Sequence, residues 1–349
     1  MERRLILADG TVVSGDAFGS KQTATGELVF TTSMTGYMET LSDPSYRGQI
    51  IIFTTPTIGN YSPDKSKLQS DRLHASAMVT RDAHVTLPRG GDWERFNRLL
   101  EQNGVPGIDG IDTRMLVRKI REQGVLEAVI ADEGNSTGQL GDSMKQNLVG
   151  QVSTREPKEF IGSGRRRYLL VDLGVKRSIV EHLLESGNVT VVPYDYDIES
   201  EAKRYDSVIL SNGPGDPDHP ALKPLRKAIK GLAGVVPLVG ICLGIQLIAL
   251  SMGGSTSKMK YGHRGSNHAV TDGRRIMITS HNHGYAVERD SLENTGLEVT
   301  EWDINDGTVE RIESKKEGII AVQYHPEGMP GPDDARGFFA EVARISGAA

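Results

Sequence analysis

A chain of 349 residues is long enough for two domains with their own cores, and a single cysteine excludes any internal disulfide. Its 40 Lys and Arg against 46 Asp and Glu give a formal charge of −6, which excludes non-specific attraction to nucleic acid or to an anionic membrane. The apolar stretch at the start, Met1 to Asp9, is too short for a signal peptide, so a cytoplasmic location is the expectation.

Residues 1–152 read as a smaller α+β domain. Two short strands, 5–7 and 11–13, flank Ala8-Asp9-Gly10, a hairpin signal with Asp-Gly at the turn. Further strands are expected at 27–32, 49–54 and 75–80. Asp112 can cap a helix that runs to Arg121 and is ended by Gly124. Residues 153–167 are polar, contain glycine and lack periodicity, which reads as a linker.

Residues 168–349 then alternate strand and helix: strand 168–172, helix 176–186, strands 189–192 and 207–210, helix 221–230, strand 235–239. That order implies right-handed βαβ units and a doubly wound, mostly parallel sheet covered on both faces, so the fold class is α/β. Segments 275–279, 297–302, 308–313 and 318–324 look strand-like. A final helix, with Asp333 or Asp334 as candidate caps, closes the chain. The uncharged stretch 231–257 meets the length criterion for a membrane helix. Pro237, Gln246 and the glycines at 231, 234, 240, 244, 253 and 254 argue instead for a buried strand ending near Val239 and a buried helix starting after Cys242.

Between those two elements lies Gly240-Ile241-Cys242-Leu243-Gly244. A nucleophile on a strand-to-helix turn needs small neighbours on both sides, and the helix that follows would aim its free N–H groups at the sulfur. A lone cysteine in an apolar stretch is equally a small buried hydrophobe. A thiol nucleophile needs a base, and His325-Pro326-Glu327 after the strand 318–324 offers an imidazole and an orienting carboxylate on one side of an extended segment. By itself that tripeptide also suits an exposed loop. The run Leu210-Ser211-Asn212-Gly213-Pro214-Gly215-Asp216-Pro217 follows a strand, and its glycines let backbone N–H groups approach a ligand. With the N–H of Leu243 it can form an oxyanion hole, although Asn-Gly and Pro-Gly are also plain turn dipeptides.

Taken together, the elbow, the Gly-Pro-Gly-Asp-Pro loop and His-Pro-Glu resemble the class I, triad-type glutamine amidotransferases, a flavodoxin-like fold. This resemblance runs from near Tyr168 to the C-terminus. In the first half, the run from Met34 to Ile50, which contains Thr-Gly-Tyr-Met-Glu and Asp-Pro-Ser-Tyr, together with Pro106-Gly107-Ile108-Asp109-Gly110-Ile111-Asp112-Thr113-Arg114, resembles the small subunit of carbamoyl-phosphate synthase. A GMP synthetase or anthranilate synthase amidotransferase lacks such a domain.

The resemblance implies Cys242 as nucleophile, His325 as base and acid, and Glu327 as the residue that orients it. It implies that L-glutamine is held by Ser45, Gly213, Gly215, Leu243, Gln246, Asn282, Gly284 and Tyr285. It further implies delivery of ammonia to a large partner subunit that uses ATP and Mg to make carbamoyl phosphate from bicarbonate, for arginine and pyrimidine synthesis. No cofactor is expected in this chain, nor any nucleic-acid or membrane partner. The family more often has Gln at 281 and Phe at 285; Tyr285 keeps the ring and adds a hydroxyl.

Two other readings remain open on the sequence: a stand-alone cysteine hydrolase such as a γ-glutamyl hydrolase, and a non-catalytic regulatory scaffold. His281 and His283 alternate on a strand and share a face, and His263 and His268 lie upstream. No sequence feature brings the four together, so no metal site is expected.

Overall fold

The computed structural model describes residues 2–83, 92–134 and 140–347. The chain divides into two units, Met1–Gln146 and Asn147–Ala349.

In the first unit, β1 (Glu2–Leu7), β2 (Val12–Gly19), β3 (Ala24–Thr31), β4 (Gln49–Phe53), β5 (Ala77–Val79), β6 (Pro106–Asp109) and β7 (Leu126–Asp132) close into a barrel in the order β1-β2-β6-β5-β4-β3-β7. Closure leaves no strand edge unpaired. The Asp-Gly hairpin forms as expected, with Ile6 opposite Val12 and the Leu7 N–H donating to Thr11 O. Three helices accompany the barrel: α1 (Tyr37–Ser42), α2 (Asp92–Gln102) and α3 (Thr113–Gln123). Tyr37, Met38 and Leu41 of α1 and Phe96 and Leu100 of α2 share one core with Val29, Ile51 and Met78 of the strands. As expected, the Asp112 carboxylate caps α3 by accepting from Met115 N–H, and Gly124 ends it. Arg3 is buried, and its guanidinium donates to the Asp132 carboxylate at 2.7 Å and to the carbonyls of Phe18, Gly107 and Ser20.

The second unit begins with α4 (Leu148–Val152), β8 (Lys158–Phe160), β9 (Arg166–Asp172), α5 (Arg177–Leu184), β10 (Gly187–Pro193), α6 (Ile198–Glu201) and β11 (Ser207–Leu210). It continues through α7 (Lys223–Leu232), β12 (Leu238–Ile241), α8 (Leu243–Ser251), β13 (Thr256–Thr271), β14 (Ile276–Val287), β15 (Glu298–Asp303), β16 (Val309–Ser314), β17 (Ile319–Val322) and α9 (Gly337–Ile345). The strands form one sheet in the order β14-β13-β15-β16-β17-β12-β11-β9-β10-β8. Its centre, β10-β9-β11-β12-β17, is parallel. Successive residues of those strands divide between two cores: Leu169, Val171, Val208, Leu210 and Leu238 on the face of α6, α7 and α8, and Leu170, Ile209, Val239 and Ile241 on the face of α5 and α9. Both faces are buried, so these strands read as continuous apolar runs.

Four expectations are corrected. Residues 153–167 are not a bare linker: β8 pairs antiparallel with β10 through Val189↔Phe160 and Val191↔Lys158, and its three exposed residues carry no apolar alternation. The division falls between Gln146 and Asn147 rather than after 152, because Asn147 caps α4 and Val149 packs into the second core. Neither Asp333 nor Asp334 caps the last helix; Arg336 stands at its N-cap, and the Asp334 carboxylate accepts from Ile278 N–H at 3.0 Å. The sixteen-residue β13 was not foreseen, since its sequence is polar and its pairing with β14 is broken by irregularities between Lys258 and His263 and between Gly265 and His268.

Stretch 231–257 resolves into the end of α7, β12, α8 and the start of β13, and among the described residues no helix is long and apolar enough to cross a membrane. Its two central glycines are required by contact. A Cβ on Gly244 would lie 2.3 Å from Leu210 O, and one on Gly240 would lie 2.7 Å from the Gly244 carbonyl carbon. Gly244→Ala should therefore cost about 1–3 kcal/mol in urea unfolding. Stability within about 0.5 kcal/mol of wild type would show that α8 is free to shift.

Candidate functional site

Parallel strands deliver their carboxyl ends to one edge of a sheet, and several of the predicted residues of the second unit collect there. Ser211–Pro217 follows β11, Cys242 follows β12, His325 and Glu327 follow β17, and Leu173–Lys176 follows β9.

Cys242 has φ 54 and ψ −100. A side chain in this left-handed region stores roughly 1–3 kcal/mol of strain. The surroundings impose it: the Cys242 N–H donates to Val322 O at 2.8 Å, and α8 begins at the next residue. Leu243 opens α8, so its N–H has no acceptor within the helix. The buried thiol is directed at the Asn282 carbonyl at 3.6 Å.

His325 is fixed through its backbone and its ring. Its N–H donates to Ser280 O at 2.8 Å, and its Nδ1 lies 2.7 Å from Glu327 Oε1. The carboxylate accepts only, so Nδ1 donates and Nε2 is the ring nitrogen turned away from that bond. In this resting geometry Nε2 has no hydrogen-bond partner among the described residues. Burial works to lower the imidazole pKa, but the Glu327 carboxylate and the neighbouring Cys242 sulfur outweigh it, leaving His325 above its ordinary value. For Glu327, burial is opposed by Lys176 and His325, which hold the carboxyl well below its ordinary range.

Lys176 was not foreseen. Its Nζ reaches Glu327 Oε1 at 2.6 Å, and both groups are buried. In the sequence it opens a helix, a position that reads as solvent-facing. Only its place after the first strand of a parallel sheet marks it. Its N–H also donates to Asn212 Oδ1 at 3.2 Å, which ties the glycine loop to the same edge. In that loop a Cβ on Gly213 would lie 2.1 Å from Leu173 O, and Gly215 has φ 94.

Asn282, Gly284 and Tyr285 lie along β14. Gln246 on α8 donates through Nε2 to Tyr285 O at 2.8 Å and to Gln323 Oε1 at 2.9 Å, so Gln323 is a second residue that sequence reasoning missed. Ser45 belongs to the first unit, where it is buried in a short 3-10 turn and its N–H donates to Asp43 Oδ1.

No sequence feature brings the histidines together, but the fold does. β13 and β14 pair with His263 opposite His283 and Gly265 opposite His281. One ligand atom from each of His263, His281, His283 and Glu310 lies within 4.8 Å of the others, and all four residues are buried. Burial, reinforced by neighbouring histidines, pushes His281 and His283 well below the ordinary imidazole value. Burial and the nearby Asp303 and Asp306 push Glu310 well up. The alternation of His281 and His283 was visible; the strand that brings His263 to them was not.

Comparison with known proteins assigns both halves. Residues 5–130 match the family model for the carbamoyl-phosphate synthase small chain, CPSase domain, and residues 169–345 match that for glutamine amidotransferase class-I. The chain is 52% identical over 345 residues to a carbamoyl phosphate synthase small chain of Thermoplasma acidophilum, covering 99% of this chain and 98% of the relative. It is 47% identical to that of Thermoplasma volcanium, covering 99% of each, and 45% identical to that of Staphylococcus haemolyticus, covering 98% and 95%. With both family models and relatives of this similarity spanning its length, the chain belongs to the carbamoyl-phosphate synthase small chain family and carries a class I glutamine amidotransferase domain.

Proposed function

We propose that this chain hydrolyses L-glutamine through a cysteine thioester and supplies the ammonia for carbamoyl phosphate synthesis. The observation that carries this reading is the strained Cys242 at the edge where the Lys176–Glu327–His325 series ends. The Cys242 thiol gives its proton to His325 Nε2 as its sulfur attacks the side-chain carbonyl carbon of glutamine, and the N–H groups of Leu243 and of the Gly213 segment receive the developing oxyanion. Protonated His325 gives its proton to the departing nitrogen, which leaves as ammonia. The neutral imidazole then takes a proton from water, whose oxygen attacks the thioester, and returns that proton to the departing sulfur, releasing glutamate and the thiol. Glu327 keeps the ring oriented, and Lys176 keeps Glu327 charged.

Glutamine is held by Gly213, Gly215, Leu243, Gln246, Asn282, Gly284 and Tyr285; Ser45 enters on its Asp-Pro-Ser-Tyr motif alone. The partner is a large cytoplasmic subunit that binds ATP and Mg, and the product serves arginine and pyrimidine synthesis. Support for the partner comes from the small-chain name borne by the relatives.

Cys242→Ser in the assembled complex should lower glutamine-dependent carbamoyl phosphate synthesis by at least about a thousandfold, with ammonia-dependent synthesis retained. Undiminished glutamine-dependent synthesis would overturn the proposal. A second expectation concerns pH. Glu327 is held below its ordinary 4.5, so the stability it contributes is complete above that value and is lost as pH falls through its folded value. Glu327→Gln breaks a buried ion pair and should destabilise by about 3–5 kcal/mol near neutral pH. Denaturant unfolding should show the gap narrowing below pH 4.5; a gap constant with pH would mean that Glu327 is not held ionised.

A further inference from the structure

We propose that His263, His281, His283 and Glu310 form a binding site for one divalent transition-metal ion, with Zn2+ the ion their geometry suits.

Proton accounting leads there. His283 Nδ1 lies 2.9 Å from Tyr285 O, and a carbonyl only accepts, so Nδ1 carries the proton and Nε2 is a bare lone pair. His263 Nε2 lies 2.8 Å from Asp306 Oδ2, so it donates there, leaving a buried Nδ1 with no hydrogen-bond partner among the described residues. His281 Nε2 lies 2.7 Å from Thr279 Oγ1, and that hydroxyl also contacts His268 O at 3.1 Å. Threonine has one hydroxyl proton. Both contacts are hydrogen bonds only when Thr279 donates to the carbonyl and His281 Nε2 donates to Thr279, which in the neutral ring leaves His281 Nδ1 bare.

Two lone pairs, His281 Nδ1 and His283 Nε2, therefore face each other at 3.2 Å. Glu310 Oε2 lies 3.7 Å from the same His281 Nδ1, and neither Glu310 carboxylate oxygen has a hydrogen-bond partner among the described residues. Acceptors from four buried residues converge with no donor among them. A cation resolves that arrangement, because each acceptor then gains a bond and the carboxylate gains a counter-charge. The spacing agrees: nitrogens bound tetrahedrally at about 2.0–2.1 Å from zinc stand about 3.3 Å apart.

The outer contacts fit as well. Each imidazole uses its far nitrogen to donate to a fixed acceptor, the Asp306 carboxylate, the Thr279 hydroxyl or the Tyr285 carbonyl, which sets the tautomer that a metal needs. His268, partly exposed and 3.2 Å from Asp303, stands beside the group. Four protein ligands make a closed, structural site. The ion would join β13 and β14 to β16, and β14 supplies the carbonyls that meet the Cys242 thiol and the His325 N–H.

The test uses the untagged full-length chain, purified without chelator and dialysed against Zn2+. Elemental analysis should find about one zinc per chain, and less than about a tenth in the His281→Gln/Glu310→Gln double variant. Asp306→Asn should weaken Zn2+ affinity by about ten- to a hundredfold. Should the double variant fail to fold, the spectrum of wild type reconstituted with Co2+ decides: intense tetrahedral d–d bands uphold the site, and their absence overturns it. Uptake below about a tenth of an equivalent by wild type, or equal uptake by wild type and a folded double variant, also overturns it.

Discussion

The second unit depends on a close approach between α8 and the strands β11 and β12. Gly244 lies against the Leu210 carbonyl so tightly that even a methyl group does not fit, and Gly240 is closed in by the backbone of Gly244 and Ile245. That contact forces the chain to reverse within one residue, and the residue is Cys242 in a backbone region that side chains avoid. The bond from Cys242 N–H to Val322 O then locks the reversal to β17, the strand that leads to His325. One packing constraint therefore holds the thiol at the sheet edge and binds it to the strand that supplies the imidazole.

Around this point the electrostatics form a graded series. Lys176 holds Glu327 ionised, Glu327 holds the His325 ring oriented and raises its proton affinity, and the far nitrogen of His325 has no hydrogen-bond partner among the described residues. Every member is buried, so no water competes for these bonds and each charge is answered by a neighbour. The series draws on two strand ends, those of β9 and β17, and the thiol stands at a third, that of β12, which is why a parallel sheet suits it: its crossovers bring residues to the same rim.

Local chemistry was the part of this structure legible in advance. The Asp9-Gly10 hairpin, the Asp112 cap and Gly124 stop, and the strand–Gly-x-Cys-x-Gly–helix elbow each draw on residues within a few positions of one another. What escaped depends on distant partners. Lys176 looks like an ordinary helix-start lysine until β17 returns Glu327 to it. β8 and β13 are polar because one lies at a sheet edge and the other in an irregular hairpin, so neither shows the apolar alternation that identifies a strand. The gathering of His263, His281, His283 and Glu310 depends on three strands, of which β16 was foreseen, β14 only at its start, and β13 not at all.

Helix α8 has apolar residues on all sides, and all but Leu250 of its nine residues are buried. Such a helix has no water-facing stripe to stabilise it alone, and a segment this short is marginal in isolation. It becomes stable only once β11, β12 and β17 are in place to receive it. The backbone conformation of Cys242 is therefore a property of the assembled sheet and not of its own segment: the strain at one residue is held in place by packing contributed by strands distant in the chain.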